Sequence, residues 1–513
     1  MFTEKDIEQI SAMGSNLESV EAQLEIFKKG ISPIKLDRPA IVGDGIIRLD
    51  EKSLLKWIDI YEKNSPSYTV VKFVPASGAA TRMFKDAFNW LDKLNAGVSP
   101  DELCKQNCEA NAFFSKLRSL ALWNDLAKIM EVKSIDPEQC YHSKNYKLIL
   151  ELLLTETGLD YASLPKGLLK FHNYAEKGMV RTPIEEHLVE GANYARMQDG
   201  TVHIHFTVSP DHREHFARLT DELVPLYGKQ YEVNYEISFS LQKTSTDTIA
   251  VDMNNDPFRE SDNSLHFRPG GHGALIENLN DLDGDFVFIK NIDNVVPDSL
   301  KEPTIIYKKV IGGLLIDLQV KIHEILRKIY ENEFNKEDYE KVREFVIDKL
   351  NIDTSLIPES FSEGIEILPN ILDRPVRVCG MVKNEGEPGG GPFWVFDQES
   401  NSASLQIVES SQVNMKDPGQ ELIFKKATHF NPVDLVCAIR GWNGEQFDLR
   451  QFIDNETCFI SYKSKNGKDL KALELPGLWN GAMAKWITVF VEVPLITFNP
   501  VKSVNDLLRK EHR

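Results

Sequence analysis

Apolar positions in the first third of the chain recur mostly every three or four residues, and the breaks in that rhythm define its organisation. Ile7, Ile10, Met13 and Leu17 fall at helical spacing and Ser53 to Tyr61 forms a second amphipathic stretch, so residues 1–65 are expected to be largely helical. The rhythm stops at Val71-Lys72-Phe73-Val74, a short β-prone run. This leads through Pro75-Ala76-Ser77-Gly78-Ala79-Ala80 into Thr81-Arg82. It resumes at 83–94, 104–118, 122–130 and 146–154 with no comparable strand signal between them, which predicts a helical insertion over 83–160.

Beyond residue 160 strands and helices alternate. Thr182-Pro183 followed by Glu185 and Glu186 reads as a helix start, with Thr as N-cap, Pro in the first turn and acids behind it, running to Ala195. Residues 201–208 alternate as a strand with His203 and His205 on one face and Val202, Ile204 and Phe206 on the other. A helix over 210–223 and a strand over 231–241 follow, then a polar stretch over 243–263. Phe286 to Ile289 is continuously apolar, as expected of a central strand covered on both faces. Residues 304–350 read as helical, and the prolines at 358, 369 and 375 suggest a boundary near 355–370. The remainder is β-rich, with a glycine-rich loop from Glu385 to Pro392 that either closes over a ligand or joins strands. These readings divide the chain into a helical segment 1–65, a domain 66–355 carrying the insertion, and a β-rich part 356–513.

Composition narrows the class. A chain of 513 residues exceeds one ordinary core. Its 42% hydrophobic and 27% charged residues describe a soluble globular protein. A net charge of −19 argues against non-specific binding to nucleic acid or anionic membrane, while allowing a local basic pocket. Met1 to Ile10 carries acids and no long apolar run, so no signal peptide is expected there, and the apolar stretch 487–498 is too short for a membrane span and holds Glu492 and Pro494. Six cysteines without a signal peptide point to free thiols in a reducing cytoplasm, and Cys104 and Cys108 at helical spacing point to helix packing.

Several stretches carry candidate chemistry. Small residues between a strand and a helix let an anion approach backbone N–H groups, and Arg82 adds a planar fork of donors suited to phosphate, so 76–82 reads either as a phosphate cradle or as a packing turn. Lys166 stands in a Pro-Gly loop. His203, His205, His212 and His215 are expected to be solvated or hydrogen-bonded rather than to hold a metal. Gly270-Gly271-His272-Gly273 suits close backbone approach to a flat ligand, or a surface turn. Asp293, after the apolar strand and among amides, is placed as a magnesium ligand would be, or as a cap of the next turn.

The order of these elements resembles the sugar-1-phosphate nucleotidyltransferases, especially the UDP-sugar pyrophosphorylase branch. The chain as a whole is similar to a bacterial family, domain of unknown function 4301, that resembles them in fold. The resemblance implies a three-layer α/β fold of the nucleotidyltransferase, GT-A-like kind, with a mixed, mostly parallel sheet. It implies transfer of a nucleotide from a nucleoside triphosphate to a sugar-1-phosphate, releasing pyrophosphate with Mg²⁺. The alternatives are a non-catalytic sugar-nucleotide-binding protein and a glycosyltransferase of the same fold. Carried over by position, Arg82 and Lys166 are catalytic, and Ala76, Ser77, Gly78, Ala79, Ala80, Thr81, Gln242, Gly271, His272 and Gly273 contact the nucleotide. Glu409 and Asn431 lie at the sugar and Asp293 binds the metal. The chain departs from the pattern at Ser77 and Ala80, which replace glycines, and in the long insertion before Lys166.

Overall fold

The computed structural model describes residues 2–174, 178–386 and 389–512. The chain falls into two compact units, each gathered from separated stretches. The first takes Met1–Val70, Leu241–Ile289 and Lys309–Pro494, and the second takes Val71–Ser240, Lys290–Lys308 and Leu495–Arg513. This interleaving differs from the consecutive blocks read from the sequence, because strands distant along the chain return to the same sheet. Among the described residues no helix is long and apolar enough to cross a membrane.

The first unit is built on a mixed, mostly parallel sheet. Its strands run in the order Ile41–Val42, Gly45–Ile47, Ile487–Glu492, Val376–Lys383, Asp434–Ala438 and Phe286–Lys290. Val376–Lys383 is parallel to Ile487–Glu492, with Val376 opposite Ile487, and antiparallel to Asp434–Ala438. Phe286–Lys290 is buried at every position, as its unbroken apolar run predicts. A second sheet joins Phe267–Arg268, Thr248–Val251, Lys468–Glu474 and Phe459–Lys465. Ile10, Val20, Leu24 and Phe27, from the helices Glu4–Ala12 and Leu17–Lys29, form one core with Ile249, Val251 and Leu473 from this sheet.

Three features of this unit go beyond the sequence reading. Residues 1–65 hold the helices Glu4–Ala12, Leu17–Lys29 and Glu51–Asn64, with short strands at Leu36–Pro39, Ile41–Val42 and Gly45–Ile47 between them. Two- to four-residue strands have no periodicity of their own and exist through pairing with distant partners. The polar stretch 243–263 contains the buried strand Thr248–Val251 for the same reason. The expected boundary near 355–370 is occupied by the helix Phe361–Leu372, which tolerates Pro369 in its last turn. Glu387 and Pro388 of the glycine-rich loop lie outside the described residues.

The second unit contains the strands Val70–Pro75, Thr201–Val208 and Asn234–Leu241, in that order. Val71 lies opposite His203 in the parallel register. Val202, Ile204, Phe206 and Val208 face a core with Val74, Ile184, Leu188 and Phe216. His205, on the opposite parity, is held between the Ser238 and Ser240 hydroxyls at 2.7 Å each, and His203 is 3.2 Å from Glu236. These histidines are hydrogen-bonded, as expected. The helix after this strand runs Arg213–Tyr231, past the expected end, with Pro225 inside it. The insertion is helical throughout, around a core of Trp90, Phe113, Phe114, Leu126 and Leu150. Asn107 ends one of its helices and caps the next, so Cys104 and Cys108 lie on different helices.

Candidate functional site

The loop after Val70–Pro75 is tied down at both ends. The Ala76 N–H donates to the Thr207 carbonyl at 2.9 Å, and the Ala80 N–H to the Leu164 carbonyl at 2.9 Å. The Thr81 hydroxyl donates to the Ala162 carbonyl at 3.0 Å. Between these ties Gly78 and Ala79 are exposed, as are Thr81 and Arg82 after them. Arg82 makes no hydrogen bond or ion pair among the described residues. Gly78 has no positive φ, and a Cβ added there would meet nothing within 4 Å. Neither backbone conformation nor packing therefore requires a glycine at this point. The segment beyond differs from expectation: Ala80–Arg82 is a 3-10 turn, and the α-helix begins at Lys85 rather than at Met83.

The same ties lay the loop against Leu164-Pro165, where Ala79 and Pro165 form an isolated bridge. The next residue is Lys166. Its ammonium donates to Asp293 Oδ2 at 2.6 Å and to the Val501 carbonyl at 2.7 Å, with about one sixth of each charged side chain exposed (16% and 17%). Loop, lysine and aspartate, remote in sequence, thus meet within the second unit. Asp293 Oδ1 has no hydrogen bond among the described residues. No group of three or more His, Cys, Asp or Glu side chains converges on a common point among those residues. A lone carboxylate with one open oxygen fits Mg²⁺ only where water and phosphate oxygens complete the shell.

Beneath this corner lies a buried charge network that sequence reading missed. The helix Pro183–Tyr194 begins as expected, with Thr182 and Glu185 in a reciprocal cap. It then buries Glu186, His187 and Glu190 completely. Glu190 accepts from Lys72 at 2.9 Å and from Lys290 at 2.7 Å. His187 Nε2 lies 3.2 Å from the Ile292 carbonyl, next to Asp293. Lys72 lies on the strand that feeds the loop, and Lys290 precedes Asp293 by three residues, so one helix braces both sides of the candidate site. Burial pushes the Lys72 ammonium down to about 7 against the pull of Glu190. Burial would raise the Glu186 carboxyl, but Lys301, His172 and Arg181 outweigh it and hold the group at about 2. One signal was readable: Lys72 interrupts an apolar strand.

The remaining candidates belong to the first unit. Gly271 has a φ of +79°, and a Cβ on Gly273 would lie 2.2 Å from the Pro476 carbonyl oxygen, so these glycines are required by the protein's own backbone. The flat group against His272 is Trp479, stacked at 4.2 Å. His272 Nδ1 accepts the Leu478 N–H at 3.0 Å, which leaves the proton of the neutral ring on Nε2, 4.0 Å from Glu409. Burial pushes the imidazole down to about 4. Asn480 donates to Glu409 at 3.1 Å. Asn431 is buried, accepts the Val433 N–H, and has no partner for its Nδ2; Gln242 Nε2 is likewise without one. Trp479 and Asn480 carried no sequence signal, since their roles depend on a loop folding back over 200 residues.

Solved structures of similar chain path include a UDP-glucose pyrophosphorylase mutant from Leishmania major, at 12% identity, covering 98% of this chain and 77% of that one with a TM-score of 0.46. Another is the uridine diphosphate N-acetylglucosamine pyrophosphorylase from Trypanosoma brucei in complex with an inhibitor, at 12% identity, 99% and 82% coverage and a TM-score of 0.49. No curated protein matches the sequence. A family model matches residues 3–513, and the chain therefore belongs to the family described as domain of unknown function DUF4301.

Proposed function

We propose that this protein is a nucleotidyltransferase that joins a sugar-1-phosphate to a nucleoside triphosphate and releases pyrophosphate. The observation that carries the reading is that the loop holding exposed Gly78 and Ala79, followed by the unpartnered Arg82, lies against Leu164-Pro165, next to the Lys166 that pairs with Asp293. Attack of a sugar phosphate oxygen on the α-phosphorus needs two anions aligned and their charge neutralised, and little covalent help from the protein. Loop amides and the Arg82 fork hold the triphosphate, with Gly78 admitting it to the backbone. Lys166 spends two of its three N–H donors on Asp293 and Val501, and turns the third to a phosphate oxygen. Asp293 would hold Mg²⁺, which would neutralise phosphate charge.

The test is pyrophosphate release with Mg²⁺, the common nucleoside triphosphates and a panel of sugar-1-phosphates. Turnover by the wild type, lowered roughly 10²–10³-fold in Asp293→Asn and Arg82→Ala, supports the reading. Absence of release with every pair, or release undiminished in both variants, overturns it.

A further inference from the structure

The first unit holds a second cluster of unanswered positive charge, separate from the residues assigned above. Arg374 and Lys485 each stand two residues before a strand, Val376–Lys383 and Ile487–Glu492. Those strands are parallel with Val376 opposite Ile487, and the Ile487 N–H donates to the Pro375 carbonyl at 3.0 Å. Before that pair both segments turn out of the sheet, and Arg374 and Lys485 both line one cavity. Among the described residues neither side chain has an ion pair. The Arg374 guanidinium donates through Nε to the Asn370 carbonyl at 2.7 Å, which fixes its plane and leaves both Nη groups unpartnered.

Both line a cavity of about 410 Å³ shared with Asn370, Asp373, Gln451 and the ring of Tyr330. A cavity of that volume suits a small ligand. Tyr330 is stacked on Trp442 at 4.9 Å, so the wall it forms is held in place. From the two cations, the free guanidinium fork and the polar rim, we infer that this cavity binds a small phosphorylated polyol. The fork and Lys485 take the phosphate, and Asn370, Gln451 and Asp373 take hydroxyls.

Isothermal titration of the full chain with glucose 6-phosphate tests this, with glucose as the uncharged control. The expected result is binding of glucose 6-phosphate without binding of glucose. It is weakened at least about tenfold by Arg374→Gln and by Lys485→Gln, and unchanged by Arg82→Ala, which removes the separate phosphate contact of the second unit. Lys485 is exposed, so its variant keeps the test valid if Arg374→Gln disturbs folding. No heat up to concentrations on the order of 10 mM overturns the inference, as does wild-type affinity in the Lys485 variant or loss of binding only in Arg82→Ala.

Discussion

Lys166 stands in a three-residue 3-10 turn, where nothing in the local backbone calls for a lysine. Its neighbour Gly167 is fixed by packing, because a Cβ there would meet the Phe216 ring at 3.0 Å and Ile292 at 3.2 Å. The turn is thus pressed against the core while its lysine reaches Asp293. Lys166→Met keeps the stem and removes the charge. Initial rates of pyrophosphate release should fall roughly 10²–10³-fold, the usual cost of one preorganised charge. A rate within a factor of two of wild type would reduce the lysine to a structural tie. At this scale the sequence exposed the small loop residues, Lys166 and Asp293, because each is out of place for its local pattern. It could not pair lysine with aspartate, since 127 residues separate them.

The helix Pro183–Tyr194 marks where local reading ends. Its cap and first turn are legible from Thr182, Pro183 and Glu185. Ile184 and Leu188 supply an apolar stripe, but periodicity does not say what answers the charges of Glu186 and Glu190. Both are buried, Glu186 answered by Lys301 and Glu190 by Lys72 and Lys290. In Glu190→Gln the charges of Lys72 and Lys290 lose their carboxylate, which is expected to cost about 3–5 kcal/mol in chemical denaturation. A loss under about 1 kcal/mol would mean that the triad does not hold the two strands.

Over the whole molecule, the alternation of strands and helices made the α/β class and the helical insertion readable, while the mostly parallel sheet was what the family resemblance implied. The interleaving of two units was not, because it depends on which strands return to which sheet. Buried and paired carboxylates also set a property of the whole chain. Glu186 in the second unit and Glu492 in the first are both held at about 2, the latter by Arg48 against some burial and with help from His429. Both lie below the ordinary glutamate value of about 4.3. Between those values the unfolded chain binds more protons, so stability rises with pH in that window and is lost as pH falls through it. Urea midpoints should therefore drop steeply from about pH 4.5 to 2, and Glu186→Gln should flatten the slope for the second unit. A midpoint independent of pH there would contradict the assignment. The most direct test of the phosphate cradle is equilibrium binding of each common nucleoside triphosphate, with Mg²⁺, to wild type and to Gly78→Val. Open space around Gly78 predicts an unfolding midpoint unchanged by the valine, with triphosphate affinity at least about tenfold weaker. Equal affinity in the two proteins, or no triphosphate bound by either, would contradict the account.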